Sequence, residues 1–408
     1  EPVRRDARYS MHLYHLSLQK PTAIRQAAYG NFSAPRAQEV VVARGSVIEL
    51  LRPDDSGRMQ TVCSMDTFST VRCVAPFRLT AGNRDYVVVG SDSGRVVILE
   101  YSAEKGVFVK VHQETYGKIG CRRAVPGQYL AADPKGRAIM IAAIEKQKFV
   151  YVMNRDASSR LTISSPLEAH KSHTIVFDMV GVDVGLENPI FACLELDYGE
   201  ADADPTGAAV QETEKYLTYY ELDLGLNHVN RKWREPTDRN ANALIAVPGG
   251  ADGPGGVLVC AENCILYQNE GHVDVRALLP RRADAPESRG TLVVCHATHK
   301  QKGLFFFLAQ SEYGDLYKIT LVYSGDEVSD VKVKYFDTIP VANSICITKT
   351  GLLYVASEFG NHYLYQFQGI GDEEDDAVEA SAMPADLEAL SEEELVEVCT
   401  PLLFTPRK

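Results

Sequence analysis

Along this chain, runs of β-branched and aromatic residues come in pairs, each pair divided by a short polar turn. The pattern stands at Glu39 to Leu51 (EVVVARGSVIELL), Tyr86 to Tyr101 (YVVVGSDSGRVVILEY) and Ala138 to Asn154 (AIMIAAIEKQKFVYVMN). A fourth copy runs from Pro189 to Leu224, opened by an insertion near 199–214, and three more span 256–268, 303–321 and 351–367. Such composition and alternation predict strand hairpins. Their starts, at about 39, 86, 138, 189, 256, 303 and 351, are mostly 47 to 52 residues apart, with one longer interval that holds the insertion. That is the period of a four-stranded propeller blade. Each interval has room for two further strands, such as Phe108 to Thr115 and Val125 to Ala132. The prediction is an all-β chain, a seven-bladed β-propeller of four-stranded antiparallel blades.

Beyond the seventh hairpin the chain turns acidic and offers no outer strand. The spare strand is at the other end, Met11 to Leu18 (MHLYHLSL), and is expected to complete the last blade and close the ring, which removes an exposed sheet edge. The expected organisation is an N-terminal extension at 1–10, the propeller at 11–369, and an acidic linker with a short helix at 370–408. For that helix, Ser391 with Glu394 forms a capping box, and Leu387, Leu390, Leu395 and Val398 give a loose apolar face. Pro401 to Lys408 reads as extended chain, and the whole as one domain of a longer protein.

Charge sharpens the picture once it is located. The net charge of −13 comes from twelve acids between Gly371 and Cys399, where there is no Lys or Arg; outside it 43 acids face 42 bases. A nearly neutral body is not a generic nucleic-acid binder. Hydrophobic residues at 45% and charged residues at 24% are an ordinary globular balance. No apolar run is long enough for a membrane helix, and the polar N-terminus carries no signal-peptide pattern. The nine cysteines show no framework spacing and read as reduced thiols of a cytosolic or nuclear protein.

Motifs for catalysis are missing: there is no nucleophile elbow, no His-Glu-x-x-His and no phosphate loop. Metal is a weak reading, and none is expected. His170/His173, His296/His299 and Cys260/Cys264 never reach a four-ligand zinc spacing, and an odd spacing on one strand sends side chains to opposite faces. The hairpin turns say more. Aligned by their strands, they place an acid at one position: Asp92, Glu145, Glu262, Glu312 and Glu358. Gly94, Gly314 and Gly360 follow two residues after three of them, where turns need positive φ. Asp is a turn former but Glu is not, so two readings stand: solvated rim residues, or an acidic rim offered to a partner. The arginine pairs Arg122-Arg123 and Arg281-Arg282 read first as solvated loop residues. In an up-down meander these turns share a face with the connectors between blades. Asp92, Glu145, Glu312 and Glu358 should then sit with 115–123, 155–173 and the insertion, and long loops on one face of a repeat protein mark its binding surface. Trp233 is the only tryptophan, so repeats ending in Trp-Asp are absent.

The stretch CRRAVPGQYLAADPKGRAIMIAAIEKQKFVYVMNRD at 121–156, with LTISSPLEAHK at 161–171, resembles the splicing factor 3b subunit 3 family. GSDSGRVVILEY, YELDLGLNHV, FFFLAQSEYGDLYKITL and VASEFGNHYLYQF carry the likeness through residues 11–367. QKPTAI at 19–24 is similar across the wider group, which includes the large damaged-DNA-binding protein and the largest cleavage and polyadenylation specificity factor subunit. The resemblance implies the first of three propellers, acting without catalysis or cofactor in the nucleus as a scaffold of splicing factor 3b. The implied partners are its small subunit 5, its HEAT-repeat subunit 1 and its PHD-finger-like zinc subunit, with RNA contacted through the complex. It also gives the rim a use, with Asp92, Arg122, Arg123, Glu145, Glu312 and Glu358 as protein-binding residues. The alternative is a ubiquitin-ligase adaptor or a 3′-end-processing scaffold.

Deleting Met11 to Leu18 should leave the last blade with an open edge, and the deleted protein should aggregate or melt at markedly lower temperature. An unchanged melting curve would place ring closure elsewhere.

Overall fold

The computed structural model describes residues 21–406, apart from 117–125, 159, 170, 287, 302, 370–377, 385–390, 392–393 and 395–397. Seven antiparallel sheets follow one another along the chain, at 26–66, 71–115, 129–168, 174–237, 243–278, 293–338 and 342–366. Each is a meander in which neighbours in sequence are neighbours in the sheet. Every predicted hairpin forms the second and third strands of one blade, as at Glu39–Arg44 with Val47–Pro53 and Tyr86–Ser91 with Arg95–Ser102. In blade three the outer strand is split into Leu161–Ile163 and Leu167–Glu168, both paired with Lys148–Arg155. Blade seven has three described strands, and the segment 11–18 lies outside the described residues. Among the described residues helix is confined to short pieces, of which Gly199–Ala203 and Ala208–Glu212 occupy the insertion.

The apolar runs are continuous because the second strands are buried on both faces. In blade five, Val257, Val259 and Ala261 pack toward blade four, whereas Leu258 and Cys260 pack toward blade six. In blade three, Ala138, Met140 and Ala142 face blade four while Ile139 and Ile141 face blade two. The core is thus seven separate clusters, one at each junction between neighbouring blades. The seventh joins Ile24, Ala27, Val40, Val42 and Leu51 of blade one and its entry to Cys346, Tyr354 and Ala356 of blade seven. Burying a Val, Leu or Ile side chain stabilises by about 1.5–3 kcal/mol, so each junction carries many such contributions.

The first strand of each blade lines the centre, and these seven strands touch in cyclic order, the last against the first. As edge strands they have unpaired amides. Side chains of the neighbouring blade accept several of these: Val74 N–H donates to Gln26 Oε1 (2.8 Å), Leu244 N–H to Asp178 Oδ2 (2.7 Å) and Ala342 N–H to Gln310 Oε1 (2.9 Å). Burial pushes the Asp178 carboxyl up to about 6, against the lowering effect of its backbone donors. At the closing junction Ala27 N–H donates to Ser344 Oγ (3.1 Å), whose hydroxyl donates back to Ala27 O (3.2 Å).

Two stretches of the last forty residues are strapped to the propeller. Glu379–Ala380 pairs with Glu327–Thr338, and Leu403–Phe404 pairs with Arg281–Arg282. The capping box forms as well, with Ser391 N–H donating to Glu394 Oε2 (2.9 Å) and Glu394 N–H to Ser391 Oγ (3.4 Å).

One ion pair is buried between blades three and four. The Lys148 ammonium binds the Glu195 carboxylate, and Tyr220 completes the group, with Lys148 Nζ 3.2 Å from its hydroxyl and that hydroxyl 3.1 Å from Glu195 Oε2. Burial, the largest single effect, would lower the Lys148 pKa, but the Glu195 charge and hydrogen bond together with Cys193 and Tyr220 outweigh it and hold the amine protonated. Glu195→Gln should cost about 3–5 kcal/mol, because it strands a buried charge. Lys148→Met with Glu195→Leu should recover most of that loss. Chemical denaturation midpoints check both, and a single variant as stable as the wild type would show that the pair does not hold this junction.

Candidate protein-interaction face

The turns between second and third strands and the connectors between blades share one face of the ring. Hydrogen bonds tie them together: Thr67 N–H donates to Ser46 O (2.8 Å), Tyr116 N–H to Gly94 O (2.8 Å) and Ile339 N–H to Gly314 O (3.0 Å). Asp92, Glu145, Glu262, Glu312 and Glu358 all lie here. The backbone explains part of the recurrence. Asp92, Glu312 and Glu358 occupy equivalent places, where the amide donates to Thr70 O (2.9 Å), Leu292 O (3.1 Å) and Val341 O (2.8 Å) at the start of the blade's inner strand. Gly314 is required twice over. Its φ is +89°, and a Cβ there would sit 2.2 Å from Ile339 O.

The acid side chains differ in what they touch. Asp92 takes both branches of the Arg72 guanidinium, with Nε 2.6 Å from Oδ1, and this hydrogen bonding raises the Arg72 pKa. Glu145 is only 3% exposed and accepts from the Tyr198 hydroxyl. Tyr198 in turn meets the His173 ring edge-on and opens the insertion. Glu262 accepts from Asn240 Nδ2 (2.7 Å), and Glu312 accepts from Leu292 N–H (3.0 Å) with Arg289 3.5 Å away. Glu358 is exposed. Arg122 and Arg123 lie outside the described residues. Four carboxylates therefore fasten turns to their surroundings, and Glu358 projects into solvent.

Two expected neighbours are on the other face. Arg155 and the turn after it lie with the loops joining first to second and third to fourth strands, where Arg155 Nη2 donates to Thr80 O (3.1 Å). An odd number of strand passages separates that turn from the connectors. Residues 171–173 and the insertion do lie on the connector face, around a cavity of about 400 Å³ that includes His173, Asp197, Glu212 and Arg234. The opposite mouth is cross-braced: Asp183 lies 3.5 Å from Lys135 and 3.4 Å from Lys300, and Lys300 lies 2.9 Å from Asp252.

Charge patterning did not find two aromatic side chains on the connector face. Phe359 is 80% exposed at the tip of the blade-seven turn Ser357-Glu358-Phe359-Gly360. In the matching turn of blade six, Tyr313 is covered, with the guanidinium carbons of Arg282 and Arg289 at 5.7 and 5.4 Å from its ring centre. Phe68, in the connector from blade one to blade two, is 88% exposed and has a φ of +58°, an uncommon conformation for a bulky residue. Its amide is held by Asp66 Oδ1 (2.7 Å). The blade-one turn lies between them, since Arg44 contacts His362 (3.3 Å) on one side and Ser46 O takes the Thr67 amide on the other. The sequence signal was the shared Ser-Glu-aromatic-Gly turn, present in two blades and covered in only one.

For metal, the paired residues point apart. Cys260 faces blade six and Cys264 faces blade four. His299 packs its ring on Phe306, and burial pushes the His296 imidazole down to about 4. Among the described residues no cluster of three His, Cys, Asp or Glu could hold a metal ion.

A closed ring of seven four-stranded antiparallel blades, its seventh blade described in three strands, puts this chain in the β-propeller class. The family description RSE1/DDB1/CPSF1 first beta-propeller matches residues 23–398, and the chain belongs to that family. It is 63% identical over 398 residues to spliceosome-associated protein 130 A of Arabidopsis thaliana, covering 98% of this chain and 32% of that protein. It is 59% identical over 379 residues to splicing factor 3B subunit 3 of Danio rerio, covering 92% and 31%. With pre-mRNA-splicing factor RSE1 of Mycosarcoma maydis the identity is 54% over 377 residues, covering 90% and 31%. The chain thus spans about a third of the length of these curated relatives.

Glu145→Ala should destabilise by about 1–3 kcal/mol, because it removes a buried carboxylate and its hydrogen bond from the partly buried Tyr198 hydroxyl, whereas Glu358→Ala should stay within about 0.5 kcal/mol. Thermal melts of the two variants check this, and equal losses would show that exposure does not separate the two glutamates.

Proposed function

We propose that this chain is the first propeller of a nuclear splicing scaffold and works by docking proteins on its connector face rather than by catalysis. The observation that carries the reading is the identity of 54–63% to relatives named for splicing. The structure supports it with an arc from blade seven to blade two that bears Glu358, Phe359 and Phe68. Exposed aromatic anchors beside a charge are the usual energetic centre of a protein interface. Such an arc suits a partner segment with an apolar side chain next to a basic one. The resemblance names candidates: the small subunit 5 of splicing factor 3b first, then the HEAT-repeat subunit 1 and the PHD-finger-like zinc subunit. Glu312 and Asp92, held by internal contacts, shape the rim that the partner meets, and Glu358 offers the free charge.

Proteins retained from nuclear extract by the immobilised chain, identified by mass spectrometry, test the reading. Splicing factor 3b subunits are expected, and recovery of a ligase cullin in their place would overturn it. Phe359→Ser combined with Glu358→Lys should reduce that retention at least tenfold with an unchanged circular dichroism spectrum. Full retention by the folded double variant would move the docking arc elsewhere on the ring.

A further inference from the structure

Between blades five and six the gap at the outer edge is filled by the C-terminal residues. Tyr335 N–H donates to Val378 O (3.0 Å), Ala380 pairs with Val333 of blade six, and Ala382 bridges to Ala277 of blade five. Further along, Leu403–Phe404 adds in parallel to Arg281–Arg282. Arg281 N–H donates to Leu402 O (2.7 Å), and Ala283 N–H donates to Phe404 O (2.8 Å). Only one of the three side chains is buried: Leu402 and Leu403 are 47% and 61% exposed, while Phe404 is 4% exposed.

The Phe404 ring enters a pocket built by the propeller. It stacks on Tyr335 with centroids 4.0 Å apart and planes 18° apart, and meets Tyr317 edge-on at 6.3 Å. Both tyrosines are fixed through their hydroxyls, Tyr317 on Pro280 O (2.9 Å) and Tyr335 against Thr338 Oγ1 (2.8 Å). Main-chain pairing to an exposed edge, together with a pocket for one side chain, is how folded domains read extended peptides. Two backbone hydrogen bonds and one ring are a small hold, favoured in cis because tethering gives a high effective concentration.

We propose that the 281–283 edge and the Tyr317–Tyr335 pocket form a docking site for an extended peptide bearing one aromatic residue. The chain's own Leu402–Phe404 fills it here, and a partner segment with the same pattern takes its place once the tail is displaced. The site prefers a flat ring over a branched aliphatic side chain, since one wall of the pocket is the flat face of Tyr335.

Hydrogen–deuterium exchange on the full chain tests this. In the wild type the amides of Arg281 and Ala283 should be protected. In Phe404→Ala they should exchange at least tenfold faster, and excess synthetic peptide TPLLFTP should restore protection, whereas the same peptide with alanine for phenylalanine should not. Adding Tyr335→Ala to the Phe404→Ala chain should abolish the rescue while the remaining blades keep their exchange pattern. Unchanged exchange in Phe404→Ala, rescue by the alanine peptide, or rescue that survives loss of Tyr335 would each overturn the proposal.

Discussion

Two-sided burial of the second strands is the constraint on which this structure depends. A strand such as Val257–Ala261, apolar at every position, cannot present a face to water. It needs a sheet on each side, and each of those sheets has the same need. The requirement has no end in an open stack and is met only in a ring. The seven junction clusters express that condition, and the polar braces between inner strands follow from it, because closing the ring leaves edge amides at the centre that neighbouring side chains must satisfy.

The same constraint divides the molecule into parts that can vary and parts that cannot. Strands two and three of each blade are held by both neighbours, whereas turns and connectors are held only by local hydrogen bonds. That is why blade four accepts two short helices between its second and third strands, with Tyr198 and Glu145 tying the insertion to blade three. Surface features that differ from blade to blade, such as an open Phe359 beside a covered Tyr313, are set by a handful of turn and connector residues. A binding face can change on a ring whose core stays fixed.

The hairpins were legible because two-sided burial writes an unbroken apolar run into the sequence, and the period of those runs counted the blades. The equivalence of Asp92, Glu312 and Glu358 was legible from the same alignment. The different surroundings of the turn acids were not, because the partners come from elsewhere in the chain: Arg72, which holds Asp92, sits in the blade's inner strand, Tyr198, which holds Glu145, in the next blade, and Arg289, beside Glu312, in a connector. Alternation along a strand likewise separated His296 from His299 without any structure. The docking of Phe404 was invisible, since charge marked the whole C-terminal region as solvated and a single aromatic residue carries no period.

The contact between Ala27 and Ser344 joins residues 317 positions apart, and this has a consequence during synthesis. Ribosomes add roughly 5–20 residues per second, so blade one waits roughly 15–60 s for the blade that covers its outer flank. Throughout that wait Val40, Val42 and Leu51 face water on one side of an already formed sheet. Contacts of such separation are slow to form even after the chain is complete. The half-built ring is therefore a sticky arc with two apolar ends, and its natural wrong partner is the free end of another such arc.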